Sequence, residues 1–153
     1  MTLVTREPRE TQALGRRLGR LLRGLDVICL YGDLGSGKTT MTKGIAWGTG
    51  FRGAVTSPTF GLARVYRGKR LTLNHLDLYR IAADETGDVG IEDYLHDPRA
   101  ACIIEWPAAG AAYYPKDRLE VQLNHAEGGR RLAFKALGNR SRELLASLRT
   151  ARA

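Results

Sequence analysis

Cysteine is scarce in this chain. Among its 153 residues only Cys29 and Cys102 occur, each inside an apolar, strand-like run. There a thiol serves as a small buried hydrophobe rather than as half of a disulfide or metal pair. The three histidines, His75, His96 and His125, show no metal-ligand spacing with one another or with the cysteines. No apolar run approaches the roughly 18 residues of a membrane span. The opening Met1-Thr2-Leu3-Val4-Thr5-Arg6-Glu7-Pro8 lacks the hydrophobic stretch of a secretory signal, so a cytoplasmic location with no membrane partner is expected. Internal repeats, linkers and low-complexity segments are also missing. The length suits one domain with one sizeable core, and a single domain over residues 1–153 is expected.

Acidic residues are sparse at the two ends. Residues 1–25 carry six Arg against two Glu, and residues 130–153 carry seven basic residues against one acidic, so of the net charge of +8 the middle holds about −2. Arginine outnumbers lysine 19 to 5, and planar guanidinium groups suit phosphate contacts. Two readings are open: solvated helix faces, or a basic surface that meets RNA or an acidic partner.

What the chain does have is a phosphate loop. Gly32-Asp33-Leu34-Gly35-Ser36-Gly37-Lys38-Thr39 fits G-x-x-x-x-G-K-[ST] and follows the apolar run Val27-Ile28-Cys29-Leu30, the strand-then-loop setting such a motif requires. Its glycines let backbone N–H groups curl inward around phosphate oxygens, and the following helix presents its positive end to the same charge. Asp33, Leu34, Gly35, Ser36 and Gly37 thus form the cradle, and Lys38 reaches the β and γ phosphates. Thr39, with Thr40 as a second candidate, supplies a hydroxyl for magnesium, a hard cation that takes few protein ligands. A nucleoside triphosphate with Mg2+ is the expected ligand.

Hydrophobic periodicity predicts a helix over 8–24, a core strand from Asp26 to Tyr31 and a helix from Lys38 to Trp47. A hydroxyl-rich loop, Thr56-Ser57-Pro58-Thr59, precedes strands Phe60–Arg67 and Leu71–Leu76, joined by a type II′ turn at Gly68-Lys69. A short helix is expected near Ile91–Leu95, then a strand buried on both faces at Ala101–Ile104. A second hairpin joins Arg118–His125 to Arg130–Leu137 through Glu127-Gly128-Gly129, and a final helix runs from Arg140 to Arg149. These elements predict an α/β fold of the P-loop NTPase kind, a three-layer sandwich with a mostly parallel central sheet and antiparallel hairpin additions.

Hydrolysis also needs a carboxylate beside the magnesium, usually at the end of a neighbouring buried strand. Glu105 emerges there, after Ala101-Cys102-Ile103-Ile104, and is the expected metal-linked acid with Thr39. Asp77 ends a strand of mixed polarity and is either an acid that orients the attacking water or holds a metal-bound water, or a turn or helix-cap aspartate. By itself His75 reads as a packing or capping residue, and Trp106 as a cap on the core beside Pro107.

Tyr31 to Thr40, Ser57-Pro58-Thr59-Phe60, His75-Leu76-Asp77-Leu78-Tyr79-Arg80 and Glu105-Trp106-Pro107, in this order and spacing, resemble the TsaE family of bacterial P-loop ATPases. The likeness runs from about Thr11 to Arg131. It implies an ATPase that supports TsaB and TsaD as they place threonylcarbamoyl on the adenosine beside the anticodon, in tRNAs reading codons that begin with A. It further implies that Lys38, Asp77 and Glu105 are the catalytic set, with Thr39 and Glu105 on the metal. Trp106 neighbours the site, the Ser57-Pro58-Thr59 loop is a switch that senses the γ-phosphate, and Thr11 and Arg130 stand near the nucleotide. Ala83 to Gly90 matches the family's acidic stretch only loosely, and the terminal arginines match no motif of it.

Other readings begin from the same loop. Asp84-Glu85-Thr86-Gly87 formally fits the D-x-x-G of a small GTPase, but no apolar strand leads into it and no Asn-Lys-x-Asp element is present. A small-metabolite kinase would need an acceptor pocket with a lid. A nucleotide-gated interaction module would need partners that sense the bound state.

Overall fold

The computed structural model describes residues 1–58, 62–81 and 90–151. Among these residues seven strands and four α-helices follow one another: β1 (Thr2–Thr5), α1 (Pro8–Leu21), β2 (Val27–Tyr31), α2 (Lys38–Gly48), β3 (Ala63–Arg67), β4 (Thr72–Asp77), α3 (Ile91–Leu95), β5 (Ala100–Glu105), β6 (Leu119–Ala126), β7 (Gly129–Ala136) and α4 (Asn139–Thr150). A 3-10 turn, Pro107–Tyr113, follows β5. The strands form one sheet in the order β1-β7-β6-β2-β5-β4-β3. Its middle, β6-β2-β5-β4, is parallel, and β3, β7 and β1 add antiparallel to the edges.

The two most apolar runs become the two central strands. All of β5 is buried, as is β2 up to Leu30, which is how strands covered on both faces read. The side-chain period of two then sorts the residues. Ile28, Leu30, Ala101 and Ile103 join the core beneath α1, α2 and α4, while Val27, Cys29, Cys102 and Ile104 pack with Ile91, Leu95 and Tyr114 on the opposite face. Glu105 has the parity of Ile103, and His75 and Asp77 that of Leu73, so all three belong to the α2 side of the sheet. Burial pushes the Cys29 thiol up to about 12, and both cysteines are free.

Helices α1 and α2 meet backbone to backbone. Gly15 and Gly19 of α1 face Gly44 and Gly48 of α2, and a Cβ on any of the four would run into a carbonyl oxygen of the other helix. The predicted helix over 8–24 therefore has a packed seam as well as an apolar stripe, but it stops at Leu21. Leu22 is extended at its C-cap, and the Arg70 guanidinium takes the carbonyls of Leu22, at 2.8 Å, and Gly19.

The first hairpin departs from its expected form. Arg67 pairs with Thr72, so four residues, not two, connect β3 to β4, and Gly68 does not adopt the positive φ of a II′ turn. The connection is instead held to the end of α2 by Arg70 N–H to Thr49 O, 3.0 Å. In the second hairpin Glu127-Gly128 is the turn, with Gly128 at φ 69°, and Gly129 already belongs to β7. Strand β1 and the 3-10 turn were not foreseen. Thr59, Phe60 and Gly61, and with them the start of the strand expected from Phe60, lie outside the described residues, as does Asp84-Glu85-Thr86-Gly87. Among the described residues no helix is long and apolar enough to cross a membrane.

Candidate functional site

Strand β2 runs out at Tyr31 into the glycine-rich loop, and α2 begins at Lys38. Gly35 and Gly37 take φ of 76° and 105°, values that side chains with a Cβ rarely adopt, and so fold the loop back over the helix start. Ser36 is fully buried inside the turn, and its Oγ has no hydrogen-bond partner among the described residues. The Lys38 side chain is also buried and donates to the carbonyls of Gly32 and, at 2.9 Å, Asp33. Its ammonium lies 4.1 Å from the centroid of the Trp106 ring, a cation–π arrangement. Burial lowers the Lys38 pKa from the ordinary lysine value, against the pull of Glu105, Asp77 and Asp33.

Glu105 is 2% exposed at the carboxyl end of β5. Its Oε1 accepts from Thr42 Oγ1 at 3.0 Å and sits 3.0 Å from His75 Nε2, and its Oε2 accepts from Thr39 Oγ1 at 3.3 Å. The chain of contacts continues outward. His75 Nδ1 is 3.3 Å from the Tyr66 hydroxyl, which donates to Thr56 O at 2.9 Å. A buried carboxylate is thus linked through His75 and Tyr66 to the hydroxyl-rich loop. Asp77 lies beside Glu105 in register on β4. It accepts from Ser57 Oγ at 2.9 Å and from Tyr79 N–H at 3.0 Å.

These groups surround a cleft of about 260 Å³, whose lining includes Lys38, Thr39, Thr40, Asp77, Glu105 and Trp106. Leu34, 69% exposed, stands at its rim. Trp106 holds φ at 54° without being glycine, the kind of backbone strain that collects at functional sites, and its ring meets Tyr79 at 4.8 Å. Arg130 reaches the loop from the tip of the second hairpin, donating to Gly35 O at 3.1 Å. Thr11 is not part of the lining. It is buried, with its Oγ1 2.7 Å from Thr5 Oγ1, and Thr5 pairs with Arg130 in the sheet.

Sequence reasoning reads His75 as a packing or capping residue and gives Thr42, Tyr66 and Tyr79 no role of their own. A signal for His75 was available, since it alternates with Asp77 on one strand and so shares its face.

The match to a family model, "Threonylcarbamoyl adenosine biosynthesis protein TsaE", extends over residues 5–133. The chain belongs to the TsaE family. A TsaE relative from Bacillus subtilis (strain 168), a "tRNA threonylcarbamoyladenosine biosynthesis protein", is 39% identical over 89% of this chain and 85% of its own length. The TsaE of Streptomyces coelicolor is 43% identical over 75% of this chain and 79% of its own. The crystal structure of Bacillus subtilis YdiB superposes with a TM-score of 0.83 at 32% identity, covering 98% of this chain and 94% of that one. The phosphate loop, Asp77, Glu105, Trp106 and Arg130 all fall inside the stretch that matches the TsaE family.

Proposed function

We propose that this chain is a cytoplasmic, single-domain P-loop ATPase that binds Mg2+-ATP in the cleft and hydrolyses it to sustain, with TsaB and TsaD, threonylcarbamoylation of the adenosine beside the anticodon in tRNAs reading codons that begin with A. The fold this implies is the three-layer P-loop sandwich. One observation carries the reading: Lys38 and Thr39, at the start of α2, converge with Glu105 and Asp77, which end two adjacent parallel strands, in one cleft. Open α/β sheets bind ligands at this end.

The donor set fits the nucleotide and its metal. The buried Ser36 Oγ, unpartnered among the described residues, and the curled loop backbone await acceptor oxygens, and Lys38 exchanges its loop carbonyls for phosphate. Thr39 and Glu105 offer one hydroxyl and one carboxylate. Magnesium, which keeps most of its water, asks for little more. Among the described residues no cluster of three or more His, Cys, Asp and Glu offers a fuller cage. When bound, the metal neutralises charge on the phosphate oxygens. Glu105 is oriented by Thr42 and His75, and Asp77, braced by Ser57 and the Tyr79 N–H, is placed to orient water. Trp106 shields the Lys38 ammonium from solvent, and Arg130 sets the position of the loop at Gly35.

The test is threonylcarbamoyl formation on tRNA over many turnovers with cognate TsaB and TsaD, comparing wild type, Lys38→Ala and no added protein. Modification sustained by the wild type alone is the expected outcome. Equal modification in all three reactions would remove the chain from the pathway.

A further inference from the structure

The outer face of α1 is a line of arginines. Arg9, Arg16 and Arg20 fall with Ala13 on the arc of the helix opposite Leu14 and Leu18, and Arg23 extends the line just beyond its end. All four are exposed. Arg9 pairs with Glu7, but the guanidinium groups of Arg16, Arg20 and Arg23 form no ion pair among the described residues, and only the Arg23 backbone N–H meets a carboxylate, that of Asp26. Like charges four residues apart, as at Arg16 and Arg20, weaken a helix, so this arrangement works against the fold rather than for it.

Arginines that do serve the fold are easily told apart. Arg17 turns inward to the carbonyls of Leu148 and Ala151, Arg70 to those of Gly19 and Leu22, and Arg140 to Asp26. Around the exposed line the charge is reinforced. The Arg16 guanidinium stands 5.4 Å from the Trp47 ring centroid. Trp47 Nε1 donates to Gly53 O, beside exposed Arg52, and the Thr49 carbonyl holds the connection that bears exposed Lys69. Between residues 11 and 75 eleven Lys and Arg face only two acids. Of these, Asp26 is occupied by Arg140 and Asp33 lies in the phosphate loop.

We propose that this face of α1, with Arg52 and Lys69 at its flank, docks the sugar-phosphate backbone of a folded RNA. From Arg9 to Arg20 the line extends about 17 Å at the 1.5 Å rise of a helix, with Arg23 beyond its end, long enough to meet several phosphates. The cations along it are guanidinium groups, whose planar fork grips phosphate through two hydrogen bonds. Such contacts position an RNA without reading its sequence.

The proposal stands on the placement of the arginines and not on the reading of the cleft, so it is tested without nucleotide. Anisotropy of a labelled, unmodified tRNA transcript would be followed over a salt series with the wild type and with R16Q/R20Q/R23Q. A third protein, R64Q/R131Q/K135Q, removes three exposed charges elsewhere. The first variant is expected to raise Kd at least tenfold and to flatten the slope of log Kd against log salt by about 2–3, at roughly 0.7–0.9 for each phosphate no longer neutralised. The second is expected to change Kd less than threefold. If the triple variant fails to fold by circular dichroism, R20Q alone carries the test, with about a threefold loss expected. Equal losses in the two triple variants, no binding by the wild type, or displacement of the RNA by an equal charge of polyglutamate would each overturn the proposal, the last in favour of an acidic protein surface.

Discussion

A carboxylate as deeply buried as that of Glu105 persists only where polar partners surround it, and two elements provide them: Thr39 and Thr42 of α2 donate their hydroxyls, and His75 Nε2 of β4 stands 3.0 Å away. Thr39 and Glu105 also line the cleft, so the network that holds the carboxylate forms part of its wall. Glu105→Ala is expected to keep nucleotide affinity within about threefold, by titration with a fluorescent ATP analogue, while Mg2+-dependent phosphate release falls by about 10²-fold or more. Undiminished release would take Glu105 out of the mechanism. Glu105 could be read from sequence because it terminates a wholly apolar run. His75 could not be assigned to it, because the partner lies thirty residues further on and only the parallel pairing of β4 with β5 brings them together.

At the scale of elements, the seam between α1 and α2 sets how closely the helix behind the phosphate loop lies against its neighbour. Interaxial distance follows the side chains at the contact, and here glycines remove them. Gly19→Ala would gain about 1 kcal/mol of helix propensity, but its Cβ would strike the Ile45 carbonyl and come within 2.9 Å of Gly48 Cα. Backbone atoms cannot rotate away as a side chain can. Overpacking, typically about 1–3 kcal/mol, should therefore win, and a net loss of stability is expected in urea unfolding. An increase would mean that the helices separate without cost. The apolar stripe of α1 announced the helix but not this seam, since glycines inside an amphipathic pattern look like weak points until the second helix is in place. For a similar reason β1 was illegible. Four residues with a single half-buried leucine carry almost no periodic signal, and the strand exists because β7 offers it an edge.

Across the whole molecule, the parallel centre of the sheet was legible because strands buried on both faces must be apolar throughout. Strand order was not, being a matter of which surfaces meet. The finished arrangement puts the cleft at the carboxyl ends of β2, β5 and β4, and the arginine line on the outside of the helical layer. It also separates the chain's two tryptophans: Trp106 faces the Lys38 ammonium, and Trp47 lies under Arg16. The molecule consequently carries two intrinsic optical reporters, one for each surface. In Trp47→Phe the remaining emission is expected to respond to Mg2+-ATP and not to RNA, and in Trp106→Phe to RNA and not to the nucleotide. A response of Trp106 to RNA alone would mean that the two surfaces communicate, and steady-state fluorescence of unlabelled protein is enough to detect it.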